Sequence, residues 1–262
     1  MTFSPKAGLA FTPVPAHELY LNLGTGFHSN DVRGATITQD PQSGLPAERV
    51  PALVRGRGAE LGWRFAPSPA LAVTLALWRL DLDSELVYVG DAGSTEPGRA
   101  STRRGIEATL RYRPAPAWLL ELDAALSRAR LEGRPPEGEG NHVDNAATAV
   151  LAAGLQWRQG PWVAGARLRY LGPRALDTLN TLRSRPLTLV NAGLRYRLTP
   201  RSTLGLDVFN LANRRGNDIE YHYASCTAAE AVTGCNGGAG TEDFHLHPME
   251  PRTVRLVLRM EL

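Results

Sequence analysis

The feature that most constrains this chain is strict alternation of apolar and polar residues, the two-residue period of a β-strand with one greasy face. Trp162, Ala164, Ala166, Leu168 and Tyr170 oppose Gly165, Arg167 and Arg169. Val190, Ala192, Leu194, Tyr196 and Leu198 oppose Asn191, Gly193, Arg195 and Arg197, and Ile106, Ala108, Leu110 and Tyr112 oppose Glu107, Thr109, Arg111 and Arg113. The pattern returns at Leu61 to Phe65, at Trp118 to Leu126, where Glu121 and Asp123 are polar, and at Val254 to Leu262. So many alternating segments predict an all-β fold. Residues 71–89 are less clean, apolar on both parities up to Trp78 and then polar through Arg79, Asp81, Asp83 and Glu85: they are either one tall strand, which makes short and long connections alternate, or a segment with a bulge or a hidden hairpin.

The connections sharpen the prediction. Short proline turns lie at Pro13 and Pro15, Pro67 and Pro69, Pro114 and Pro116, Pro161, and Pro200. Between them run longer polar stretches, residues 27–57, 91–102, 132–145, 173–186 and 213–251. Short and long connections alternate, which gives a meander one plain end and one decorated end. That asymmetry fits an antiparallel up-and-down transmembrane β-barrel. Trp63, Phe65, Tyr112, Trp118, Trp157, Trp162 and Tyr196 cluster near the proline turns, as an interfacial aromatic girdle does. The competing reading is a soluble β-sandwich whose core those rings would cap.

About eleven strands are countable, an odd number, whereas a single-chain bacterial barrel has an even one. Open strand edges in hydrocarbon leave backbone groups unsatisfied, so the expectation is a partial barrel whose edges meet further strands. No run of about 18 apolar residues is present, which excludes a helical membrane span. The net charge is only +3, from 29 basic and 26 acidic residues, and the arginines are dispersed, so nucleic acid is not an expected partner. Cys226 and Cys235 lie close together in a Gly- and Ala-rich segment, a spacing that suits a loop disulfide in an oxidising compartment or a free-thiol pair.

Four stretches resemble the TonB-dependent outer-membrane receptors: LYLNLGTGFHSNDVRG at residues 19–34, LWRLDLDSELVYVGDAGSTEPGRASTRRG at 77–105, DVFNLANRRGNDIEYHYAS at 207–225 and HPMEPRTVRLVLRMEL at 247–262. They keep the family order. The family barrel ends in an aromatic residue, where this chain has Leu262. The resemblance implies the C-terminal portion, over residues 1–262, of a 22-stranded barrel, about half of it, with plug domain, signal peptide and first strands absent. It implies a place in the Gram-negative outer membrane and energy-coupled import of a scarce ligand such as a siderophore–metal chelate or a vitamin. The implied partners are outer-membrane lipid and lipopolysaccharide, the missing strands and plug, and the TonB system acting through the plug. No cofactor and no catalysis are implied. A passive porin or autotransporter-like pore and a soluble β-rich binding module are the alternatives.

Candidate site residues fall in two groups. Inward-facing Glu121, Asp123, Arg167, Arg169, Arg195 and Arg197 are candidates for plug contacts, or else pair with one another across neighbouring strands. Loop residues His28, Asn30 and Asp31, with Tyr221, His222, Tyr223, His245 and His247, are candidates for ligand capture. Histidine and tyrosine bind transition metals or stack on aromatic chelators. No His pair has an established ligand spacing with a third partner, so loop-stabilising hydrogen bonds are the preferred role and no metal site is expected. No GxSxG, HExxH or phosphate-loop fingerprint is present, and an enzyme is not expected.

Overall fold

Alternating sequence becomes ladder in the computed structural model, which describes residues 3–29, 35–39, 46, 49, 51–84, 86–89, 94–235, 238 and 240–261. The strands are β1 (Lys6–Val14), β2 (His17–Ser29), β3 (Leu53–Ser68), β4 (Leu71–Leu82), β5 (Leu86–Val89), β6 (Ser94–Pro97), β7 (Ser101–Tyr112), β8 (Trp118–Leu131), β9 (Ala149–Gln159), β10 (Trp162–Leu171), β11 (Leu187–Thr199) and β12 (Ser202–Phe209). There follow β13 (Asn217–Ser225), a one-turn helix α1 (Ala228–Ala231), β14 (Thr241–Pro248) and β15 (Thr253–Met260). Eleven of these strands form one antiparallel sheet in the order β1-β2-β3-β4-β7-β8-β9-β10-β11-β12-β15. The order follows the chain except where two hairpins, β5–β6 and β13–β14, stand off the long connections. This is the expected up-and-down meander.

Residues 71–89 are not one tall strand. The β4 ladder stops at Leu82, and Leu86–Val89 folds back on Ser94–Pro97. The polar–apolar period runs on through the break, so nothing in it marks the boundary. The connection at 213–251 is likewise a second hairpin rather than a plain loop.

Register shows which residues share a face. One row across the ladders reads Leu9, Leu21, Leu61, Leu77, Ile106, Leu126, all apolar. Another reads Leu71, Tyr112, Leu120, Leu155, Ala166, Ala192, Val208, Val254. These side chains are not covered: Leu77 is 55% and Leu126 59% exposed. Among the described residues the buried hydrophobics are only Tyr20, Val54, Ala76, Val143, Ala175 and Leu176, and no second sheet faces the large one. A sandwich needs such a sheet, so that reading fails. A continuous apolar face with nothing packed on it is a lipid-facing surface.

The turn end carries the girdle. Trp118 lies across from Trp157 and Trp162 across from Tyr196, the latter rings 4.4 Å apart. Trp63 stacks on Phe65 at 5.6 Å and donates its indole N–H to His17 Nδ1 at 3.1 Å. The turns are tight: Ala16 takes a φ of 72° between β1 and β2, and Gly160 a φ of 57° between β9 and β10.

At the opposite end the connections are tied to one another. Arg99 donates to the carbonyls of Glu132 and Gly140 and to the Asn141 side chain. Gly140 N–H donates to the Thr178 hydroxyl at 3.0 Å, and His142 N–H to the Thr178 carbonyl at 2.9 Å. A methyl group on Gly140 would overlap the Thr178 carbonyl, so glycine permits that approach. Arg185 N–H donates to the buried Glu220 carboxylate at 2.9 Å, which links residues 172–186 to the β13–β14 hairpin. The decorated end is thus a chain of four cross-linked connections.

Candidate functional site on the polar face

Opposite the apolar face, small residues alternate with charges. One row reads Arg111, Glu121, Gly154, Arg167, Asn191 and the next Thr109, Asp123, Ala152, Arg169, Leu189. Glu121 and Arg167 flank glycine, and Asp123 and Arg169 flank alanine, each pair about 9.6 Å apart at two strand spacings. Long side chains can bridge that backbone distance, yet neither pair forms a hydrogen bond or ion pair among the described residues.

Of the six inward candidates, two are paired within the sheet. Arg195 Nη2 donates to both oxygens of Asp207, at 2.7 and 2.8 Å, its stem lying over Gly205. Glu121 is 3.8 Å from Arg111 Nε. Asp123, Arg167, Arg169 and Arg197 make no side-chain hydrogen bond or ion pair among the described residues. Their charges are open to whatever fills the space on this side.

A shallow groove of about 400 Å³ runs over this face, lined by Glu121, Gly154, Arg167, Asn191, Arg195 and Asp207. At its decorated end it meets a second cavity of about 470 Å³, the two sharing Asn191 and Phe209. The second is largely apolar, with Val150, Leu171, Leu187, Leu189, Phe209 and Met249, and Arg169, Asp218 and Glu250 supply charge.

The β13–β14 hairpin overhangs that cavity and carries five of the loop candidates. Its register sets Tyr221 against His245 and Ile219 against His247, so Tyr221, Tyr223, His245 and His247 share one face and His222 takes the other. Each histidine has a partner in the hairpin. His247 Nδ1–H donates to Asp218 at 2.7 Å, and that hydrogen bond holds the Asp218 carboxyl below its ordinary value. His245 stacks flat on Tyr223 with centroids 3.7 Å apart. His222 packs edge-on against Phe244 and sits 3.6 Å from Glu242. No group of three potential metal ligands forms among the described residues. Cys226 and Cys235 are joined in a disulfide with a Cα–Cα distance of 5.5 Å. It closes a turn that begins at the Thr227 N-cap of α1, where Thr227 and Glu230 make a reciprocal capping box.

His28 is elsewhere. It lies one residue before the end of β2 at the other side of the sheet, in a cavity of about 570 Å³ that Lys6, Leu80, Leu82 and Arg103 also line. Asn30 and Asp31 lie outside the described residues.

Sequence reasoning passed over Asn210, Asp218 and Glu220. Asn210 is 4% exposed with a φ of 49°, donates to the carbonyls of Arg214 and Glu250, and accepts from Arg214 N–H. It pins both ends of the hairpin connection to the sheet. An asparagine just past an alternating run is the available signal, since Asn tolerates the left-handed region. Arg79 and Asp81 belong to the same face as Leu71 and Leu77, because the apolar face itself turns polar where β4 leaves the hydrocarbon.

Comparison with known proteins agrees with this architecture. Residues 1–211 match the family described as TonB dependent receptor-like, beta-barrel. The pesticin receptor of Yersinia enterocolitica is 24% identical over 213 residues, covering 78% of this chain and 31% of that receptor. The ferric yersiniabactin uptake receptor FyuA of Yersinia pestis superposes with a TM-score of 0.73 at 16% identity, over 97% of this chain and 36% of FyuA. The ferric-catecholate import receptor Fiu of E. coli K12 gives 0.68 at 19% identity, over 97% of this chain and 34% of Fiu. The chain therefore spans about a third of the length of the relatives it matches. With the family match covering most of its residues and the same antiparallel meander beneath it, this chain belongs to the TonB-dependent receptors, as part of their outer-membrane β-barrel in Gram-negative bacteria.

Proposed function

We propose that this chain forms part of the barrel wall of a receptor for energy-coupled import of a metal chelate. The observation that carries the reading is the continuity of the polar face: a charged groove leads into a largely apolar cavity under the tyrosine- and histidine-bearing hairpin. The four uncommitted charges, Asp123, Arg167, Arg169 and Arg197, suit contacts with a plug that must both hold and release. Hydrogen bonds between charged groups in a wet lumen are strong enough to seat a domain and exchangeable with water. TonB would act through that plug. The apolar cavity, with Arg169, Asp218 and Glu250 at its edge, suits a ligand with aromatic or aliphatic surface and polar groups that both accept and donate hydrogen bonds.

The test is uptake of radio-iron by cells whose only outer-membrane ferric receptor carries this segment, with ferric yersiniabactin and a ferric catecholate as first probes. Uptake is expected to stop when the inner-membrane proton gradient is dissipated. Arg169→Ala is expected to weaken apparent affinity by about tenfold, the size of one lost charged hydrogen bond. Entry that ignores the gradient would instead mean a passive pore.

A further inference from the structure

The lipid-facing side of the sheet carries a basic patch that import does not use. On β8 the apolar face starts at Trp118, in the aromatic girdle, and passes through Leu120, Leu122, Ala124 and Leu126 to Arg128. Ten residues at about 3.3 Å, tilted by about 40°, rise about 25 Å, the height of the hydrocarbon band of such barrels. Arg128 therefore stands where acyl chains give way to headgroups. Register puts Arg104 directly across from Arg128, and Arg79 across from Arg104, so three guanidinium groups line up over β4, β7 and β8. Arg130 adds a fourth, two residues beyond Arg128 on the same face.

Like charges set opposite one another on neighbouring strands repel. Arg104 and Arg128 both press on the Arg130 charge. Two carboxylates are near. Asp81 accepts from Arg79 Nε at 3.0 Å and from the Thr102 hydroxyl at 2.8 Å, and Glu132 accepts from the same hydroxyl. Neither reaches the other three, and Arg104, Arg128 and Arg130 have no carboxylate partner among the described residues. Across β9 to β11 the same face holds no such patch: Ala149, Tyr170 and Thr188 take the corresponding upper positions.

We propose that Arg104, Arg128 and Arg130, flanked by Arg79, form a binding site for the phosphate groups of an outer-leaflet glycolipid. Guanidinium groups present paired donors that match phosphate oxygens, and the row is at the depth where such phosphates lie. A bound phosphate would relieve the repulsion along the row. The inference needs only the chain's place in the outer membrane, so it stands or falls apart from the import reading.

The test titrates the detergent-purified receptor that carries this segment with bisphosphorylated lipid A, with the same lipid stripped of phosphate, and with inorganic phosphate, followed by native mass spectrometry. The bisphosphorylated lipid is expected to bind roughly a hundredfold more tightly than the stripped one. The triple variant R104Q/R128Q/R130Q is expected to lose that preference, and R201Q, at the turn end, to keep it. Equal binding of the two lipids by the unaltered receptor overturns the proposal without reference to any variant. So does a triple variant that retains the preference, and so does inorganic phosphate binding as tightly as the lipid.

Discussion

Asp144 is the carboxylate whose surroundings suit it least. Burial pushes it up to about 6, the Asp177 and Glu139 charges add to the rise, and its Oδ1 has no hydrogen-bond partner among the described residues. Its neighbour Asp177 goes the other way: burial would raise it, but hydrogen bonds from the Thr181 hydroxyl and from nearby backbone amides outweigh that and hold it low. The signs follow from linkage. Between about 4 and 6 the folded Asp144 keeps a proton that the unfolded chain has lost, so its contribution is full below about 4 and declines as pH rises through 6. Asp177 stabilises above its ordinary range and loses that only in stronger acid. The expected outcome is that residues 132–148 are better protected from amide exchange, corrected for intrinsic rate, at about pH 5 than at about pH 7.5, and that Asp144→Asn abolishes the difference. At this scale spacing and composition brought the two cysteines together but left disulfide and free thiols open, and the structure joins them. The roles of His222, His245 and His247 were not, because a stacking or ion-pair partner is set by hairpin register and not by residue type.

At the scale of the strand, each residue's solvent is set by parity. Leu75 on β4 projects toward lipid and is flanked by Val73 and Leu77 on the same face, whereas Thr109 on β7 projects toward the lumen beside Asp123. Leu75→Arg is expected to destabilise the sheet by about 2–4 kcal/mol, the cost of a charge near the bilayer midplane, while Thr109→Arg is expected to change it by less than about 1 kcal/mol. Urea titration in lipid vesicles measures both, and equal effects would contradict the assigned faces. Strands β3, β7, β8, β10, β11 and β15 were legible because their period is clean. The first hairpin was one of two open readings of residues 71–89, and the second read as a plain loop. In residues 83–100 the alternation continues past the end of the ladder, and in 213–251 long-range anchors such as Asn210 and Glu220 shape the segment.

For the molecule as a whole, the sheet ends in two unpaired edges. Among the described residues β1 pairs only with β2 and β15 only with β12, and Leu9, Phe11, Leu256 and Met260 on those edges are more exposed than most of the apolar face. In vesicles, alternate amides of Lys6–Val14 and Thr253–Met260 are expected to exchange much faster than those of β8. Uniform protection of both edges would show that they find partners, in a second copy or in each other. The amino-acid sequence alone determined the strand class, the side facing lipid, the orientation of plain and decorated ends and the family, because each of these is written in a local period or motif. Tertiary structure alone decided which charges on the polar face stay open, how the decorated connections lock together and where arginines line up across three strands. Those depend on register between segments far apart in the chain, and a shift of one residue would put every side chain on the opposite face.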